Sequence, residues 1–369
     1  MRQVIGLSVA LVVALIGAYV AWTDEDEETE SDEAVAVYTA GKDDLTKLAW
    51  ESKEHSVTVE RRTDARGPYL WVTAVDRKFP KAKTKNPHEG LGDEEDEEEG
   101  EEDEGGGTEA EPEKEGESDV AAVAEPDPNV PIEEKTSSFL ASKQGQELFD
   151  TFAPLEAMRE LPVKPEDRAT FGLAEPSGTV TVERKGGTVT LEVGGETYGS
   201  KDKYVEANGK VYLVDEGLLR PLEFGGTRLV ERGLFPTAEK DITKVEVQAP
   251  AGQTVTYVQA NADDAAKAFW AKAETPETQD DAAGTWLDKV FRLKLKQYED
   301  ESAVTAPLEP VVSYTIHGNG ESTHVEILKS TVDNETSWYA RSDYNRQLVS
   351  LTDSLARNVV DDVPALTQP

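Results

Sequence analysis

The sequence predicts a β-rich α+β protein: tandem-duplicated antiparallel meanders with short packing helices, plus one N-terminal transmembrane helix. Three observations predict it. Short runs of β-branched and aromatic residues alternate apolar with polar and are separated by turn residues. One motif returns far along the chain, Asp44-Leu45-Thr46-Lys47-Leu48 as Asp241-Ile242-Thr243-Lys244-Val245. Val4 to Trp22 is apolar apart from Ser8, and a helix of that length spans roughly the 30 Å hydrocarbon core of a bilayer.

The apolar run comes first. Only the amino terminus and Arg2 carry charge before it, and Asp24-Glu25-Asp26-Glu27-Glu28 follow it. Positive charge stays in the cytoplasm, so residues 1–23 are expected to anchor the chain with the body outside. A signal-peptide cut needs small residues three and one before the bond. A cut after Ala21 meets Tyr19, and one after Val20 meets that Val. An uncleaved anchor is therefore expected over a removed signal, with Tyr19 and Trp22 at the outer interface. Residues 24–34 read as an acidic spacer.

Residues 35–86 read as the first half of repeat 1, a meander through Val35–Tyr38, Leu45–Trp50, Ser56–Glu60 and Tyr69–Thr73. Residues 87–135 read as a disordered acidic insertion: Gly92 to Gly107 is almost purely Asp, Glu and Gly, which bury too little surface to offset ordering entropy. Residues 136–232 complete repeat 1. Leu148, Phe152, Leu155 and Met158 fall at helical spacing, with Pro154 as a kink or restart. A return strand over Arg159–Val163 follows, then strands flanking Gly186-Gly187 and Asn208-Gly209, and a helix over Glu216–Leu222.

Residues 233–363 read as repeat 2. Strands over Asp241–Val245 and Thr254–Val258 precede helices over Asp263–Ala273 and Asp281–Val290. Phe291, Leu293 and Leu295 alternate as in a half-buried strand. A hairpin around Asn319-Gly320, strands at Trp338–Ala340 and Gln347–Leu351, and a helix from Asp353 to Val359 complete it. Residues 364–369 read as a loose tail.

The formal net charge of −37 excludes nucleic acid as a partner. Roughly two thirds of that charge lies in the blocks at Asp24–Glu33 and Gly92–Asp119, which read as solvated runs. No cysteine is present, so disulfides and thiolate chemistry are excluded. With an Asn319-Gly320 turn, His317 faces Ser322, His324 faces Thr315, and Glu326 shares their face. A weak metal site is conceivable there, but the opposite face, with Tyr314, Ile316, Val325 and Ile327, is the core side, and solvent-face histidines are the expectation. No phosphate loop, dinucleotide fingerprint or Gly-x-Ser-x-Gly elbow occurs. Trp50, Trp71, Trp270, Trp286 and Trp338 would suit a carbohydrate groove, yet they sit in apolar patterns where core packing is expected. No catalytic, cofactor-binding or metal residue is assigned, and no cofactor is expected.

Several stretches together resemble a known family. They are Asp44–Leu48 after an anchor, Tyr69-Leu70-Trp71-Val72, Phe171-Gly172-Leu173-Ala174-Glu175-Pro176, Val211–Val214, and Leu229-Val230-Glu231-Arg232-Gly233-Leu234-Phe235-Pro236 leading into the second repeat. The chain resembles the domain-of-unknown-function family 4340. Its members are bacterial, carry one amino-terminal membrane segment, and are often encoded beside ABC transporter components of the gliding-motility type. The charges around the apolar run give the expected topology, N-terminus cytoplasmic and body periplasmic, and the resemblance implies a non-catalytic accessory or scaffold of the inner membrane whose partners are ABC transporter subunits. The family supplies no catalytic residues to carry over. The alternative is a periplasmic binding module for polysaccharide or peptide; an enzyme would need a pocket of convergent polar groups.

Overall fold

The computed structural model describes residues 34–80, 127, 129–249, 252–264 and 266–366. The apolar run Val4–Trp22, the spacer Asp24–Glu33 and nearly all of the acidic insertion lie outside the described residues. Among the described residues no helix is long and apolar enough to cross a membrane. Residues 77–135 form a unit of their own, and the rest forms the main body.

The first half of the body runs β1 (Val35–Tyr38), β2 (Leu45–Glu51), β3 (His55–Asp64), β4 (Gly67–Lys78), β5 (Glu133–Leu140), α1 (Lys143–Thr151), β6 (Leu155–Ala157), β7 (Arg159–Leu161), β8 (Gly178–Arg184), β9 (Gly187–Glu196), β10 (Lys203–Ala207), β11 (Lys210–Val214) and α2 (Glu216–Glu223). The second runs β12 (Ile242–Gln248), β13 (Thr254–Ala260), β14 (Phe269–Lys272), α3 (Asp281–Arg292), β15 (Leu295–Tyr298), β16 (Glu309–Gly318), β17 (Glu321–Val332), β18 (Glu335–Ser342), β19 (Val349–Leu351), α4 (Asp353–Asp361) and α5 (Val363–Leu366).

Three antiparallel sheets result. The larger two have orders β5-β4-β3-β2-β8-β9-β10-β11-β7 and β14-β13-β12-β16-β17-β18-β19-β15, and β1 pairs with β6. Exchanging β4, β3, β2, β8 to β11 and β7 for β14, β13, β12, β16 to β19 and β15 turns one order into the other. Only the edge strand β5 is extra. The equivalence extends to detail. A 3-10 turn precedes β2 and β12 alike. Register then slips between Leu45 and Lys47 against β8, and between Ile242 and Lys244 against β16. The Thr at each slip donates its hydroxyl across the sheet, Thr46 to the Glu183 carbonyl at 3.0 Å and Thr243 to the His317 carbonyl at 3.4 Å. The repeated Asp-Leu/Ile-Thr-Lys motif is thus a β-bulge in which the hydroxyl bonds a backbone carbonyl of the partner strand.

The turns follow from residue chemistry. Asn208 and Gly209, and Asn319 and Gly320, all have positive φ, as two-residue hairpins require. Ser142, Asp215 and Asp280 cap α1, α2 and α3 by accepting from backbone N–H groups.

Four expectations are corrected. Helix α1 ends at Thr151, so Leu155 and Met158 do not continue its face; Pro154 disfavours helix at the residue before it and offers no N–H. Residues 263–273 contain a strand, not a helix: Trp270 and Ala271 pair with Gln259 and Val258, and this tertiary pairing overrides local helical preference. Phe291 belongs to α3, and the strand starts at Leu295; of the basic residues that mimic alternation, Arg292 ends the helix, Lys294 lies in the link and only Lys296 is in the strand. Strand β5 starts at Glu133, inside the stretch read as insertion, because an edge strand tolerates exposed charge there. Within that unit Glu133 and Glu134 pair with Lys78 and Arg77 of β4.

The tail differs too. Leu366 is buried, and its carbonyl accepts from the Tyr257 hydroxyl at 3.2 Å. Residues 367–369 lie outside the described residues.

Candidate functional site

The apolar faces of α1 and α2 follow their spacing. Gly145, Leu148 and Phe149 of α1, and Leu219 and Leu222 of α2, are buried. The neighbouring faces form the walls of a groove of about 720 Å³, the size of a ligand or peptide-side-chain site. Gln144, Glu147, Leu148 and Thr151 come from α1. Asp215, Gly217, Leu218 and Pro221 come from α2 and its cap. Pro154 to Met158 close one side, together with Ala34 at the head of β1.

Two features mark this groove as unfinished. Met158 is 48% exposed, although it sits in an otherwise apolar surface. Pro221 has no N–H, so the Gly217 carbonyl lacks its donor one turn on, and both residues face the groove. The rim is acidic: it holds Glu147, Glu156 and Asp215, with no Lys or Arg among the described lining residues. Glu147 is paired 3.5 Å from Lys143, Asp215 is engaged in capping Gly217, and Glu156 has no ion pair among the described residues.

The equivalent helices of the second half are packed against each other. Burial falls at Gly145, Leu148, Phe149 and Phe152 in and after α1, and at Ala283, Trp286, Leu287 and Val290 in α3, with the same spacing. Trp286 therefore stands where Leu148 stands. Its indole donates to the Val359 carbonyl of α4 at 2.9 Å and meets Tyr314 edge-on, with 5.8 Å between ring centres. α3 and α4 pack directly, and α5 covers both.

The junction of the two halves is a second polar concentration, and most of its groups are occupied, the buried Asn345 Oδ1 being left without a partner among the described residues. Tyr298 donates to the Glu231 carbonyl at 3.1 Å. The Asn345 amide donates to the Gly233 carbonyl at 2.9 Å and to Tyr298 at 3.1 Å, and Tyr344 donates to the Glu231 carboxylate at 3.0 Å. Arg346 lies over the Tyr69 ring and pairs with Asp64, while Arg66 pairs with Asp343. Burial pushes the Tyr298 and Tyr344 hydroxyls well above the usual phenol range, so both stay protonated donors. This network fixes one half on the other.

His317 lies opposite Ser322, and His324 lies opposite Thr315. His317 is 3.5 Å from Glu246, and His324 bonds Thr315 at 3.1 Å. No cluster of three or more possible ligands is disposed to hold a metal ion among the described residues. Trp50, Trp71, Trp286 and Trp338 are buried and Trp270 is partly so, which makes them packing residues. The groove residues went unnoticed in the sequence because they come from three separated stretches and carry no motif. Only the stranded Met158 beyond Pro154 hints at them.

Residues 141–310 match the model of the family described as domain of unknown function (DUF4340). This part of the chain is similar to that family. The DUF4340 stretch begins at the end of β5, contains α1, β6 and α2 of the groove, and continues through the junction into β16. No curated protein and no solved structure matches the chain.

Proposed function

We propose that this protein is a non-catalytic accessory or scaffold of an ABC-type transport complex, held in the bacterial inner membrane by Val4–Trp22. Its N-terminus is cytoplasmic and its body periplasmic. The partnership with a transporter of the gliding-motility type comes from the family resemblance; the topology comes from the charge on either side of the apolar run.

The observation that carries the docking role is the groove between α1 and α2, with Ala34 in its wall. Thr23 to Glu33 spans at most roughly 40 Å when extended, so the root of the tether keeps this groove near the membrane surface. A surface of this kind suits a protein segment of a membrane partner. The groove also favours the peptide form of the alternative reading over the polysaccharide form, since the tryptophans are spent on packing.

The test is purification of the full-length protein from detergent-solubilised membranes, beside a form starting at Thr23. Transporter ATP-binding and permease subunits are expected with the full-length protein. Enrichment of no membrane protein over an unrelated anchored control would overturn the accessory reading.

A further inference from the structure

We infer that the groove between α1 and α2 receives a short amphipathic helix, apolar on one face and flanked by Lys or Arg, presented by a protein partner in the membrane. The inference deepens the accessory reading and rests on it for the partner's location.

Three observations lead there. The second half shows what a completed version looks like: Trp286 fills the space between α3 and α4 and bonds the far helix. In the first half Leu148 is too short to do so, and the space stays open with Met158 exposed in it. A flexible thioether in an open apolar groove adapts to an incoming side chain. The walls are helices, and rows of side chains at i, i+3, i+4 and i+7 interlock with such walls.

Charge then selects among occupants. Glu156, which has no ion pair among the described residues, and Asp215 on the rim repel acidic segments, while Glu147 is held by Lys143. The chain's own spacer, Asp24 to Glu33, holds no basic residue and is rejected by that rim. A basic flank is attracted, and its donors find Glu156 and the Gly217 carbonyl.

The experiment uses the full-length protein in detergent and two synthetic helical peptides. Both carry Leu at i, i+3, i+4 and i+7, with Lys on either side in one and Glu in the other. Fluorescence anisotropy is expected to show the Lys peptide binding, at least tenfold more tightly than its Glu isomer. Met158→Lys and Glu156→Lys are each expected to weaken it tenfold or more, with melting temperatures unchanged because both positions are at the surface. Equal binding of the two peptides, no binding at millimolar peptide, or variants that bind like the parent would overturn the inference. So would a photo-cross-link from position 158 to residues 24–33, or self-association that Met158→Lys abolishes. Transporter subunits captured equally by parent and Met158→Lys, without peptide binding, would remove the groove and leave the accessory reading. Peptide binding without captured subunits would do the reverse.

Discussion

The two halves share a strand order and a bulge motif, yet they finish their helix pairs differently. In the second half α3 and α4 are joined by Trp286, and α5 seals them with Val363 and Leu366. In the first half Leu148 and Leu218 face an open groove. The lesson concerns volume rather than pattern. The buried positions have the same spacing in both helices; the halves differ in Trp286 against Leu148, in α5, which covers only the second pair, and in the β1–β6 pair, which walls only the first. A duplicated scaffold thus has one helix pair closed and the other open.

Alkaline titration should separate the halves most strongly. Burial raises the hydroxyl of Tyr257 to about 12 and pushes Tyr298, Tyr314 and Tyr344 higher still, all in the second half. Tyr38 is its main counterpart in the first half, raised by burial against the pull of Arg184. A raised phenol keeps its proton in the folded state, so its contribution is complete below the ordinary value near 10. It is lost as pH rises from there through the folded value, at about 1.4 kcal/mol per pH unit for each group. Tyrosinate absorbance and circular dichroism followed together should show second-half strands lost first above pH 10. Simultaneous loss of both halves would show that the junction couples them into one unit.

Next in size is Trp286→Ala. It opens a cavity at the centre of the closed pair and removes the bond to Val359, and should destabilise the protein by about 3–5 kcal/mol in urea unfolding. A loss below about 1 kcal/mol would mean that α5 collapses into the space, and the contrast with the first half would weaken.

The smallest effect belongs to Leu148→Trp, which imitates the second half in the first. The groove has room for the larger ring, so stability should change by less than about 1 kcal/mol. Binding of the Lys-flanked peptide should fall tenfold or more. Unchanged binding would show that the groove is not closed by this ring.

Much of this architecture was legible in local chemistry. Asn208-Gly209 and Asn319-Gly320 announce their hairpins, and the repeated Asp-Leu/Ile-Thr-Lys motif announces two equivalent halves. Elsewhere local pattern misled. Leu155 and Met158 keep a helical spacing that Pro154 breaks, and Phe269–Lys272 forms a strand because β13 offers it an edge. Leu366 reads as part of a loose tail, but its burial depends on α3 and on Tyr257, which lie far away in sequence.

The sequence by itself determined the period-two strands, the turns, the helix caps and the expectation of a tethered, acidic chain. Each of these rests on interactions between residues a few positions apart, or on the transfer of one segment from water. Tertiary structure alone decided which strands neighbour each other and where the surface stays open. The groove depends on the volumes that Ala34, Leu148, Met158 and Leu218 bring together from separate stretches, and on the absence there of a ring like that of Trp286. Space between elements is a sum over distant side chains, and no local periodicity encodes it.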